Sequence, residues 1–114
     1  MRIGSIFSIA ASGLRSAAQR LKVSAHNVSN MNTDGFKAQR TIDVADQGGG
    51  VSTHVSRVDE PGPVIIRDGQ FVEGSNTNLV VETVNQIQAV QAYRANLNVA
   101  EAAAEMLEET TREH

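Results

Sequence analysis

From Ser5 to Asn30 the chain reads SIFSIAASGLRSAAQRLKVSAHNVSN, and the spacing inside that stretch decides how the molecule is built. Phe7, Leu14, Leu21 and Val28 recur every seven residues, with Ala10, Ala17, Ser24 and Met31 interleaved. A helix brings positions three, four and seven apart onto one stripe, so the pattern predicts a single helix over 5–30 with a coiled-coil-like seam. At about 1.5 Å per residue it is about 39 Å long. Asn30, Asn32, Asp34 and Gly35 end it, because Asn and Asp bond their own backbone and Gly accepts positive φ.

The far end mirrors it. Val90, Tyr93, Leu97, Ala100, Ala104 and Leu107 alternate three and four apart, after Val80, Val84 and Ile87 on a slightly shifted register. This predicts a second helix over 79–110, capped by Asn78 or Thr77, with Glu82 where the positive helix end favours an anion. Glu105, Glu108, Glu109 and Glu113 oppose the dipole at the other end, so the last turns are expected to fray. Between the helices lie short β-branched runs, Thr41 to Ala45, Val51 to Val58 and Val64 to Val72, punctuated by Gly48–Gly50 and Pro61-Gly62-Pro63. Asp68-Gly69 is a two-residue hairpin signal, and the glycine triplet is expected to be a mobile tip. The fold class is therefore mainly α: two long terminal helices packed as an antiparallel coiled-coil-like hairpin with a small β-hairpin and loop middle. The chain divides into 1–37, 38–74 and 75–114.

Composition narrows the function. The 114 residues are 40% apolar but only 4% aromatic, with no Trp or Cys and a net charge of −3. A small chain so poor in aromatics has thin material for a core of its own. Mixed charge gives no basic stripe for a phosphate backbone, which argues against nucleic acid. Without cysteine, disulfides and thiolate metal sites are excluded. The apolar patch Ile6–Ala11 is too short for a cleavable signal, and no run reaches the roughly 20 apolar residues of a membrane span.

Chemistry finds no home. Asn30-x-Asn32-x-Asp34-Gly35 imitates the start of a calcium loop, but the twelfth position is Thr41 where a bidentate Glu is required. His26, His54 and His114 are scattered, and Glu105, Glu108 and Glu109 fit a solvated face better than paired catalytic carboxylates. No nucleophile elbow, Ser-His-Asp spacing or phosphate loop occurs. The reading is no enzyme, no cofactor, no metal and no small-molecule substrate. Beyond its seam the second helix still carries Val81, Ala92, Ala95, Val99, Ala102, Ala103 and Met106. That is either a wide stripe on a small bundle or a surface for neighbours.

Residues 12–37, SGLRSAAQRLKVSAHNVSNMNTDGFK, and 75–107, SNTNLVVETVNQIQAVQAYRANLNVAEAAAEML, resemble the paired terminal motifs of the bacterial flagellar basal-body rod and hook (axial) proteins. With only residues 38–74 between them, the proximal rod members are the nearest kind. The resemblance implies a structural subunit whose two helices polymerise into the hollow drive shaft of the rod. It implies partners that are further copies of itself, other rod proteins, the basal-body ring and the export apparatus, and a place in the periplasm-spanning rod, reached by type III export without a cleaved signal peptide. Leu14, Leu21, Ala25, Asn27, Asn30, Thr33, Gly35 and Phe36 match the first motif; Ser75, Asn76, Leu79, Glu82, Tyr93, Asn96 and Met106 match the second. His26, Asn78 and Gln91 depart from it. The assembly and seam residues nominated are Phe7, Leu14, Leu21, Asn27, Val28, Asn30, Gly35, Phe36, Ile87, Val90, Tyr93, Asn96, Leu97 and Leu107. Tyr93, on the seam with a ring to bury, is read first as a core residue. The alternative is a soluble helical binding module, or a divergent hook-type axial protein, with one discrete partner.

Overall fold

The computed structural model describes residues 2–112; the expectations attached to Glu113 and His114 fall outside them. Helix α1 spans Ile3–Ser29 and helix α2 spans Leu79–Arg112. Between them come strands β1 (Gln39–Ala45), β2 (Val51–Arg57), β3 (Val64–Arg67) and β4 (Gln70–Glu73). The strands form two separate antiparallel hairpins, with Thr41 opposite Val55 in β1–β2 and Ile66 opposite Phe71 in β3–β4.

Local chemistry explains the boundaries. Asn30 closes α1 by donating its amide to the His26 carbonyl at 3.0 Å, while its Oδ1 accepts from the Thr33 hydroxyl at 3.0 Å. Asn78 caps α2, its Oδ1 accepting from the Val80 and Val81 amides at 3.0 and 3.2 Å. Asp68 and Gly69 both take positive φ, 52° and 77°, as the tight turn between β3 and β4 demands. The second helix is continuous through its acidic last turns to Arg112, where fraying was expected.

The helices run antiparallel: Asn27 lies beside Glu82 at one end, and Gly13 beside Asn96 further along. Hairpin β1–β2 lies lengthwise on α1, from Asn27 at its base to Ile9 at its tip. Serines hold it there. The Ser12 hydroxyl accepts from the Val51 amide at 3.1 Å, and the Ser16 hydroxyl donates to Asp43 at 2.9 Å with the Thr53 hydroxyl 2.7 Å away. The glycine triplet is correspondingly not a free tip. Gly49 and Gly50 sit directly against the Ile9 and Ser12 side chains, at positive φ, where any Cβ would intrude.

The molecule measures 76 × 23 × 15 Å, with a radius of gyration of 19.6 Å; a compact domain of this length has about 13 Å. The 34 residues of α2 account for about 51 Å of the long axis. The remainder lies beyond the α1–α2 junction, where β3–β4 is anchored by the Gly35 amide donating to the Glu73 carbonyl at 2.8 Å and by Arg67 pairing with Asp34 at 2.8 Å.

Candidate assembly surface

The buried residues are small. Among the described residues the buried apolar positions are Ala10, Ala17, Val23, Ala38, Ala89 and Ala103, so Val23 is the one large aliphatic inside. Along the helix interface, Ala10, Gly13, Ala17 and Ser24 of α1 meet Glu82, Ala89, Asn96 and Ala103 of α2. A Cβ on Gly13 would lie 2.2 Å from Asn96 Oδ1, so the Asn96 amide occupies the space that glycine leaves open on α1.

This relocates the expected seam. Leu21 is 40% exposed, Val90 37%, Tyr93 43%, Leu97 40%, Leu107 47% and Ile87 54%. Phe7, Leu14 and Val28 are half-buried. Large side chains cannot enter an interface set by glycine and alanine, so they fall beside it. At 100° per residue, the Phe7–Leu14–Leu21–Val28 row of α1 and the Val90–Tyr93–Leu97 row of α2 emerge on the same side of the helix pair, opposite the side that β1–β2 covers. Together they make one apolar ribbon shared by both helices. Tyr93 is therefore a ribbon residue and not a core tyrosine. Asn96 does sit in the seam, donating to the Ala92 carbonyl at 2.8 Å.

The polar motif residues gather at the junction. Asn27 is 1% exposed. Its amide oxygen accepts from the Gln39 amide at 2.8 Å, and its Nδ2 donates to the Gln39 carbonyl at 2.8 Å and to Glu82 Oε2 at 3.1 Å. Its backbone carbonyl accepts from the Thr77 hydroxyl at 3.0 Å. One side chain thus ties α1 to β1 and α2, as an amide that both donates and accepts can. Asn76 works alike, accepting from the Ala38 amide at 2.6 Å and donating to the Val58 and Glu60 carbonyls at 2.8 Å. Gly35 takes φ 70°, and Phe36 turns back to meet His26 edge-to-face at 5.5 Å.

Glu82 is more than a helix-start acid: it is 4% exposed, and its Oε1 is buried without a hydrogen-bond partner among the described residues, as is Arg20 Nε. Both residues line a polar cleft of about 570 Å³ between α2 and β1. Arg20 Nε is 3.7 Å from Asp43 Oδ2. On the outer hairpin, the Lys37 ammonium donates to Glu73, joined by the Gly62 amide at 3.0 Å, and this holds the Glu73 carboxyl below its ordinary value of 4.5. The sequence reading missed Asn76 as an anchor and the Ser12, Ser16, Asp43 and Thr53 group altogether. The i, i+4 spacing of Ser12 and Ser16 is the signal that could have exposed the latter.

His54 is exposed, and no group of His, Asp and Glu among the described residues is placed to hold a metal ion. Asp34, in the run whose calcium-loop likeness the twelfth position already ruled out, is engaged by Arg67. No described helix is long and apolar enough to cross a membrane.

Comparison with known proteins agrees at both ends. Residues 7–37 match the family described as flagella basal body rod protein, and residues 68–113 match the flagellar basal body rod FlgEFG protein C-terminal family. The flagellar basal-body rod protein FlgC of Buchnera aphidicola subsp. Acyrthosiphon pisum is 30% identical over 132 residues, covering 96% of each chain. Its counterpart in Yersinia enterocolitica is 32% identical, covering 87% of this chain and 88% of that one. The protein of the same name in Salmonella typhimurium is 28% identical over 96% of each.

Proposed function

The chain belongs to the family of flagellar basal-body rod proteins of the FlgC type, and from that premise we propose that it is a structural subunit of the proximal rod, polymerising through α1 and α2 into the wall of a hollow shaft. Its partners are further copies and the other rod proteins, with the basal-body ring and the export apparatus at the boundaries of the assembly. It works in the periplasm-spanning part of the basal body, exported without a cleaved signal, and catalyses nothing.

The observation that carries this reading is the inversion of side-chain size. Alanine, glycine and serine fill the interface inside the chain, while Leu21, Val90, Tyr93 and Leu97 stand 37–43% exposed on one ribbon. A monomer gains little from such a layout, because the side chains with the most apolar area are the ones left in water. Neighbours that cover the ribbon recover that area. A chain with one discrete partner would expose a patch; here large apolar side chains line both helices and recur on β3–β4.

The test is deletion and complementation. Cells lacking the chain are expected to be non-motile and to yield basal bodies without a completed rod, with restoration by the wild-type gene. Motile cells with intact rods in the deletion strain would overturn the proposal.

A further inference from the structure

Resting on the rod-subunit reading, we propose that neighbouring copies dock side by side in the same direction, the outer face of α1 on the outer face of α2, with an axial offset of about 20 Å. Charge sets the offset. Helix α1 contains no acidic residue, and Arg15 and Lys22 are exposed on its side turned away from α2. Glu101 and Glu105 are exposed on the outer side of α2. The side chains of these four have no hydrogen bond or ion pair among the described residues.

Within one chain Asn27 lies level with Glu82 and Gly13 with Asn96, so Arg15 and Lys22 lie level with Arg94 and Ile87. A copy docked without offset would set Arg15 against Arg94, a like-charge contact, and leave the acids facing no cation. Moving it along the axis brings Arg15 to Glu105 and Lys22 to Glu101. These lie 11 and 14 residues further along α2, a shift of about 16–21 Å. Small residues at seven-residue spacing on the same face of α1, Ala11, Ala18 and Ala25, let the helices close.

A second observation agrees with the same shift. The long axis exceeds α2 by about 25 Å at the junction end, and the projecting β3–β4 hairpin carries Val64, Ile66 and Phe71 at 71%, 70% and 78% exposure. An offset of about 20 Å places that projection level with Val80, Val84 and Ile87 on the outer face of the neighbour's α2, which are 74%, 47% and 54% exposed. Unlike surfaces meet in this contact, so it propagates as an open helix and does not close as a dimer.

Cross-linking tests it, since the chain has no cysteine of its own. Ala18→Cys with Ala102→Cys leaves every charge in place and keeps both reporters of α2, residues 91 and 102, on its outer side. Inside one chain Ala18 lies level with residue 91, so these positions are about 17 Å apart along the axis and beyond disulfide reach. Oxidised basal bodies carrying the pair are expected to give dimers and higher ladders at least ten-fold above Ala18→Cys with Gln91→Cys, which reports the unshifted contact. Equal or inverted yields overturn the offset. Charge reversal is the second arm: Arg15→Glu/Lys22→Glu and Glu101→Lys/Glu105→Lys each lower incorporation at least ten-fold, and co-expression of the two restores it. Failure of co-expression to restore incorporation also overturns the proposal. Absence of the wild-type chain from basal bodies would instead overturn the rod reading on which this rests.

Discussion

The interface between the two helices and the ribbon beside it run the same length yet are made of opposite materials. The interface is alanine, glycine, serine and buried amides; the ribbon is leucine, valine and tyrosine, half in water. The first secures geometry at small gain in apolar burial, the second holds apolar area in reserve. Substitutions in the interface should therefore damage the isolated chain, and substitutions in the ribbon should damage only the assembly.

The largest effect on stability is expected from Asn27→Ala. It leaves the Gln39 amide and carbonyl and the Glu82 carboxylate buried without their partner, a loss of about 3 kcal/mol. Urea unfolding of the purified chain measures it, and a loss below about 1 kcal/mol would deny Asn27 its central role. Ala17→Leu forces a large side chain into the 1%-exposed seam and should destabilise by about 1–3 kcal/mol. A neutral result would mean that the helices are looser than Gly13 and Asn96 indicate.

Leu97→Asp is the sharpest contrast. Its side chain is already 40% exposed, so unfolding should shift by no more than about 1 kcal/mol, while incorporation into the rod and motility are lost. Normal motility with that change would sink the distinction between the two regions. The smallest effect is at the outer hairpin. The Lys37 hydrogen bond holds Glu73 below 4.5, so its contribution is fully present above that value and disappears as pH falls through the lower folded-state value. The Glu73 carboxyl carbon, followed by NMR against pH, should titrate below 4.5 in the native chain and move back toward 4.5 in Lys37→Met; an unchanged midpoint would remove Lys37 as the cause.

Much of this was legible in the residues. The helices expected over 5–30 and 79–110 are Ile3–Ser29 and Leu79–Arg112, and Asp68-Gly69 turns the hairpin as its dipeptide demands. Periodicity located both stripes of large apolar residues correctly but assigned them to each other. Hydropathy weighs a leucine over an alanine, whereas close helix approach selects the alanine, so the seam was hidden by its own small size. Hydroxyl contacts such as Ser16 to Asp43 span 27 positions and leave no periodic trace. Asn27 was visible as a motif residue; its side-chain partners, Gln39 of β1 and Glu82 of α2, come from elements that only the fold brings together.

A joint zipped by alanines is also easy to open. Each turn of the pair that separates surrenders only a few methyl groups, and the polar clasp of Asn27, Gln39 and Glu82 sits at one end, not along the whole length. A pull applied at the chain's ends, where α1 begins and α2 finishes, meets shallow and evenly spaced resistance until it reaches that clasp. Along the helix pair, then, the contact between α1 and α2 is shallow, and the strongest polar tie is the clasp at its junction end.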